Sequence, residues 1–239
     1  MILSINVWGQ KFDNETICSS DTITINPNLT MRHVQKGTKD SLPSYRIIEC
    51  EKKSKIGFRF ELGASHYWYN RNTKDWLGNH FGSNFNFIFV YDKLNFGFCF
   101  KPSTVNPKKE LQFCGETLTN EAKLNPIKMD FYIGYSFDLD CLSIEPYLGI
   151  SRNSFVIINQ KELNNNFSIP NATGFINGIT LNKYFKIAKY KYISIFSHIG
   201  YCIVDFHKVN DNLSNNYFEC SLGVAYKGFF TNKFRKRVE

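Results

Sequence analysis

The 239-residue chain has no apolar run long enough for a membrane-spanning helix, which needs roughly 18 to 20 consecutive apolar residues. Its longest candidate, Tyr192 to Val204, is interrupted by Ser194, Ser197 and His198. The seven cysteines, Cys18, Cys50, Cys99, Cys114, Cys141, Cys202 and Cys220, contain no C-x-x-C pair, so neither a zinc site nor a dithiol redox site is expected. Their odd number leaves at least one thiol free even in an oxidising compartment. Most are expected to be small buried hydrophobes. Glycine-rich phosphate loops, H-E-x-x-H and EF-hand patterns are also missing, so no cofactor or metal is expected. Negative charge is in short supply, with 21 Asp and Glu against 29 Lys and Arg, a formal charge of +8. The basic residues are scattered, apart from Lys52-Lys53, Lys108-Lys109 and Arg235-Lys236-Arg237, and no nucleic-acid-binding motif accompanies them. They are read as solvated loop and tail charges, with no nucleic-acid partner.

What the chain has instead is alternation. Ile56-Gly57-Phe58-Arg59-Phe60-Glu61-Leu62-Gly63 sets Phe or Leu at every second place, with Gly, Arg or Glu between. A period of two is the side-chain period of a β-strand. Aromatic residues make up 16% of the chain, with 23 Phe and 13 Tyr. The apolar face is thus wide and aromatic, while the polar face carries glycines and full charges. That combination predicts a barrel turned inside out, with lipid outside and a polar interior. A mean hydropathy of -0.30 is compatible with it, because only alternate residues face lipid.

Eight runs of strand length follow, at 55–69, 82–91, 94–101, 127–138, 142–157, 172–184, 190–206 and 216–229. The second and third are joined by Asp92-Lys93, the fourth and fifth by 139–141, and the sixth and seventh by a short Lys-bearing turn. The other connections, 70–81, 102–126, 159–171 and 207–215, are longer and polar. Membrane barrels divide their connections this way, with short periplasmic turns and long outer loops. The expected fold is all-β: a closed, up-and-down antiparallel transmembrane β-barrel of about eight strands, spanning 55–230. Two further runs, 21–29 and 45–50, leave ten strands as the alternative. Because they carry few outward hydrophobes, 10–54 is read as an N-terminal extension. Residues 1–9, short and apolar and ending at Gly9, are read as the remnant of a signal peptide, and hence as a mark of export. Residues 231–239 are read as a basic C-terminal tail.

An eight-stranded barrel is just wide enough to be filled by its own side chains. Isolated charges inside would be costly. Arg59, Glu61, Asp138, Glu145, His198, Glu219 and Lys227 all fall on the inward parity and are therefore predicted to pair as a lumen polar network. Tyr67, Trp68, Tyr69, Tyr91, Tyr184 and Tyr190 lie near run ends, where aromatic rings suit the headgroup level. Three features fit this scheme badly. Pro146 lies inside the fifth run, Asn177 faces outward in the sixth, and Phe196 and Val204 face inward in the seventh.

The last run, Ser221-Leu222-Gly223-Val224-Ala225-Tyr226-Lys227-Gly228-Phe229-Phe230, resembles the terminal strand of Gram-negative outer-membrane barrels. Ser221, Gly223 and Tyr226 occupy its polar, glycine and aromatic places. Gly228 stands where a second aromatic is usual, and 231–239 run past the usual end. Ile144-Glu145-Pro146-Tyr147-Leu148-Gly149 likewise looks like the strand openings of small outer-membrane proteins (OmpA/OmpX-like or porin-family barrels). The resemblance covers 55–230 and is one of pattern. It implies an outer-membrane location, contact with outer-membrane lipid, and handling by the barrel assembly machinery. A structural, adhesive or accessory role then falls to the long loops, with an envelope or host-surface partner. One alternative is a soluble lipocalin-like barrel, with the Phe face inward around an apolar ligand. Another is a barrel lipid hydrolase centred on His198. The deacylases of this class carry a His-x-Ser pair, which is missing here, and Ser197 and His198 point to opposite faces. No catalytic residue is therefore expected. His198 is read as a satisfied interior histidine, paired with Glu145 or Glu219.

Overall fold

A computed structural model of the chain describes residues 17–18, 23–24, 46–113, 116–120, 122–158 and 169–238. Eight long strands form the wall: β1 (Arg46–Tyr69), β2 (His80–Tyr91), β3 (Leu94–Pro102), β4 (Leu124–Tyr135), β5 (Leu142–Ile157), β6 (Ala172–Ala188), β7 (Lys191–Val204) and β8 (Asn216–Val238). Each is antiparallel to its sequence neighbours, and β1 pairs with both β2 and β8, so the sheet closes. At this closing seam Gly63 stands opposite Gly223. A Cβ at either position would press on the facing backbone around Leu222 or Leu62, so glycine lets the first and last strands approach closely.

The wall differs from the expected one chiefly at its ends. β1 begins at Arg46 and β8 continues to Val238, and Thr231–Val238 pairs residue by residue with Arg46–Lys53. The run at 45–50 is therefore the start of β1 and no separate strand, which sets aside the ten-strand alternative among the described residues. Glu51-Lys52-Lys53-Ser54-Lys55 lacks the Gly, Pro, Asn or Asp that would reverse the chain, and the strand runs straight through it. The basic tail is the end of β8. Short strands at Ile17–Cys18 and Ile23–Thr24 pair with the start of β1, and Cys18 stands in register with Cys50. Cys50 is disulfide-bonded, whereas Cys99 and Cys202 are free and buried. Residues 1–9, read as a signal remnant, lie outside the described residues.

Pro146 proves well placed. The β4–β5 ladder stops at Gly134 opposite Tyr147, and a short strand, Phe137–Leu139, resumes pairing at Ile144. The donor that proline lacks falls at that break. Three of the outer connections carry secondary structure among the described residues. α1 (Arg71–Leu77) follows β1, a small hairpin pairs Leu111–Phe113 with Glu116–Leu118, and a 3-10 turn spans Phe206–Lys208.

Phe85, Phe87, Phe89, Phe96, Phe98, Phe100 and Phe131 are exposed, with Ile133, Leu148, Ile150, Ile179, Ile195, Leu222 and Val224 continuing the belt around the barrel. Asn177 interrupts it, while Phe196 and Val204 are buried on the lumen side. Arg59, Glu61 and Glu219 are fully buried. Burial is thus inverted relative to a water-soluble protein, and an apolar belt of this extent marks a lipid-facing surface. The lipocalin-like arrangement requires the Phe face inside and is excluded. A fluorophore attached at Phe87→Cys or Phe98→Cys, in a background without free thiols, should be strongly quenched by brominated acyl chains, and one at Asn86→Cys weakly. Equal quenching at all three would contradict this facing.

Candidate functional site

The lumen is crossed at two levels by ion pairs. At the lower level Arg59 on β1 reaches Glu145 on β5, the strand diametrically opposite in an eight-membered ring. Its two terminal nitrogens donate to Glu145 Oε1 and Oε2 at 2.7 and 2.6 Å, a bidentate fork. Arg59 Nε lies 2.8 Å from Glu61 Oε1, and Arg59 also donates to the Tyr184 hydroxyl at 2.9 Å. Glu61 Oε2 accepts from Asn86 Nδ2 at 2.5 Å and lies 2.8 Å from His198 Nε2. Thr180 Oγ1 is 2.5 Å from the other ring nitrogen of His198. Lys227 Nζ stands over the Tyr184 ring, 4.7 Å from its centroid.

The upper level joins Lys101 on β3, Lys128 and Asp130 on β4 and Glu219 on β8. Lys101 Nζ lies 3.0 Å from Asp130 and 2.7 Å from Glu219. Lys128 pairs with Glu219 across the full diameter, lies 3.3 Å from Asp130, and approaches the Cys202 thiol at 3.1 Å. Two ammonium groups thus face two carboxylates with no net charge. Buried pairs of this kind roughly balance their desolvation cost while intact and are expensive to break.

Above both levels the outer mouth is closed by rings. Tyr69 and Tyr217 have centroids 4.9 Å apart, Trp76 and Phe155 5.6 Å, and Phe206 lies about 6 Å from Tyr69, Phe155 and Tyr217. Thr73, Trp76 and Leu77 of α1 are its buried face. Lys108 N donates to Trp76 O at 2.7 Å, and Asn210 Nδ2 to Gln112 O at 2.9 Å, so three outer connections are tied to one another.

Of the residues proposed for the lumen from sequence, Arg59, Glu61, Glu145, His198, Glu219 and Lys227 are all buried inside the barrel. Asp138 is not. It is exposed in the short strand beyond the break at Ser136, below the closed wall. His198 meets Glu61 rather than Glu145 or Glu219, because Arg59 engages Glu145 while Lys101 and Lys128 engage Glu219. Lys101, Lys128 and Asp130 were missed, although Asn95-Gly97-Cys99-Lys101 and Lys128-Asp130-Tyr132-Gly134 keep the inward parity throughout. Among the proposed interfacial aromatics, Trp68 and Tyr91 are exposed. Tyr67, Tyr69, Tyr184 and Tyr190 are only 1 to 5% exposed. Tyr67 and Tyr69 share the parity of Arg59 and Glu61, Tyr184 turns its hydroxyl to Arg59, and Tyr190 tucks inward from a turn with φ 58°. Run ends attract aromatics, but parity decides which way they face. No group of three or more metal-ligating side chains occurs among the described residues.

No protein-family model and no curated protein sequence matches the chain. Solved structures of similar shape are the Neisserial surface protein A, at 12% identity and TM-score 0.46 over 74% of this chain and 98% of that one, and the outer membrane protein OprG from Pseudomonas aeruginosa, at 9% and 0.43 over 76% and 97%. The outer membrane protein AlkL in DMPC bilayers aligns at 8% and 0.42 over 82% and 97%. Strand number, closure, the lipid-facing belt and the division into short turns and long loops are those of outer-membrane β-barrels, and the chain has the fold of a small outer-membrane β-barrel.

Proposed function

We propose that the barrel is an anchor holding a structured recognition surface outside the cell, in an adhesive or accessory role, and that it is neither a pore nor an enzyme. The observation that carries this reading is the filled lumen: ion pairs cross it at two levels and an aromatic cap covers its outer mouth. Eight-stranded barrels have little interior to spare, and here side chains occupy it. Thr180, His198 and Glu61 stand in the order hydroxyl, imidazole, carboxylate, which is the arrangement of a hydrolytic triad. All three are at most 3% exposed, and Glu61 is already engaged by Arg59 and Asn86. A substrate carbonyl has no approach to Thr180, so the group serves as a structural brace. Outer-membrane lipid contacts the belt, and Ser221, Gly223 and Tyr226 fit a terminal strand handled by the barrel assembly machinery. The partner is an envelope or host-surface molecule that meets the loops.

Reconstituted into planar bilayers, the refolded protein should give no stepwise conductance; regular ohmic steps would favour a pore and overturn the anchor. Cells displaying the barrel should adhere to glycan- or protein-coated surfaces more than cells in which 71–77 is replaced by a Gly-Ser linker. Equal adhesion would remove the role of the loops.

A further inference from the structure

The first and last outer connections meet around a cavity of about 580 Å3, lined by 70–72, His207 and 211–216. Clefts of about 300 to 1,000 Å3 hold small ligands, so its volume admits a short oligosaccharide. From its geometry we infer that this cavity is a binding site for neutral carbohydrate. The inference rests on the reading of the barrel as a recognition anchor.

The walls are built before any ligand arrives. Thr73, fully buried, donates to Ser214 O at 3.0 Å and accepts from Ser214 N at 2.8 Å. Asn70 Nδ2 donates to Asn216 Oδ1 at 2.8 Å, and Asn72 Nδ2 to Asn212 O at 2.7 Å. These bonds fasten the start of α1 to residues 212–216. A preformed site spares a ligand the cost of ordering the loops.

The chemistry of the lining selects the ligand class. Bonds within the walls use Asn70 Nδ2, Asn72 Nδ2, Asn215 Oδ1 and both polar side-chain atoms of Asn216. That leaves accepting oxygens on Asn70 and Asn72, a donating nitrogen on Asn215 and the whole Asn212 carboxamide, a set that both donates and accepts. A sugar hydroxyl also does both, so such a surface matches a polyol better than it matches an anion or a cation. Arg71 and Asp211 contribute one charge of each sign, which leaves the lining without the excess of either that a sulfated glycan or a basic peptide would need. Leu213 is the sole apolar side chain in the lining, too little for a lipid or an aromatic ligand. The Asn212 carboxamide, the Arg71 guanidinium and the Asp211 carboxylate have no protein partner among the described residues, so they remain free for a ligand. Such open polar sites bind weakly one at a time, and many copies on a cell surface multiply the effect.

The test is a printed array of neutral and sulfated oligosaccharides, probed with the full chain folded in a zwitterionic detergent, since glycoside detergents would compete. We expect binding to neutral members, reduced at least tenfold by Asn212→Ala and by Asp211→Ala, while both variants keep the heat-modifiable mobility of a folded barrel. Preference for sulfated members, binding indifferent to both substitutions, or no binding across the array overturns the inference. Adhesion of displaying cells that survives Asn212→Ala would overturn the carbohydrate site and leave the anchor standing. Stepwise conductance would instead count against the anchor itself.

Discussion

Arg59→Met is expected to destabilise the folded barrel by about 3–5 kcal/mol, the usual cost of removing one partner from a buried ion pair. The guanidinium makes a fork with Glu145, meets Glu61 through Nε and donates to Tyr184. Methionine keeps most of the side-chain volume and removes every one of those bonds. Two carboxylates then remain inside a lumen that is sealed above, with His198 and Asn86 as partners for Glu61 and the neutral hydroxyls of Ser143 and Tyr184 as donors to Glu145. Urea titration in lipid vesicles, read by the heat-modifiable band, should show a lower midpoint. The triple variant Arg59→Met, Glu61→Gln, Glu145→Met should recover most of the loss, because it removes the stranded charges along with the pair. A loss below about 1 kcal/mol for the single variant would mean that water, rather than Arg59, carries these carboxylates, and the filled-lumen argument would fail with it.

Much of this core is legible in sequence because a barrel strand obeys one strong rule. Once Phe58 and Phe60 are placed in lipid, Arg59 and Glu61 have nowhere to go but the lumen. The same rule, carried past the residues first chosen, yields Lys101, Lys128 and Asp130 from β3 and β4. It also corrects Tyr67, Tyr69 and Tyr184, whose position near strand ends suggested the interface. Parity alone does not say which residues of the lumen meet. Arg59 and Glu145 are 86 residues apart, and their meeting depends on strand stagger and closure, which no local pattern encodes. The start of β1 is hidden because 45–50 carries few outward hydrophobes and the charged 51–55 breaks the apolar alternation, so nothing local joins 45–50 to the strand that follows. α1 was hidden because seven residues with a single Trp-Leu pair show no readable helical period. The outer cavity joins 70–72 to 211–216 and exists only after the barrel has closed.

The aromatic cap should behave as a unit separate from the wall beneath it. Phe206 is fully buried and packs against Tyr69, Phe155 and Tyr217, so Phe206→Ala removes the ring at the centre of the cluster. Truncating a buried Phe to Ala typically costs about 3–5 kcal/mol. Here the loss should fall on the loops, since the wall is held by its own ladder and by the two levels of ion pairs. Native proteins open in such local units. Proteinase K added to intact displaying cells should therefore cleave the loops of Phe206→Ala at least tenfold faster than those of the parent, while the protected barrel fragment keeps its heat-modifiable mobility. The variant should also remain electrically silent, because Arg59–Glu145 and Lys128–Glu219 still span the lumen below the cap. Conductance should appear only when Phe206→Ala is combined with the Arg59, Glu61 and Glu145 replacements and with Lys101→Ala, Lys128→Ala, Asp130→Ala and Glu219→Ala, which strand no charge of the upper level. If Phe206→Ala alone conducts, the cap is the sole barrier and the ion pairs do not block passage. If it unfolds the whole barrel, cap and wall form one cooperative unit, and the loops are then part of the fold that carries them rather than a surface mounted upon it.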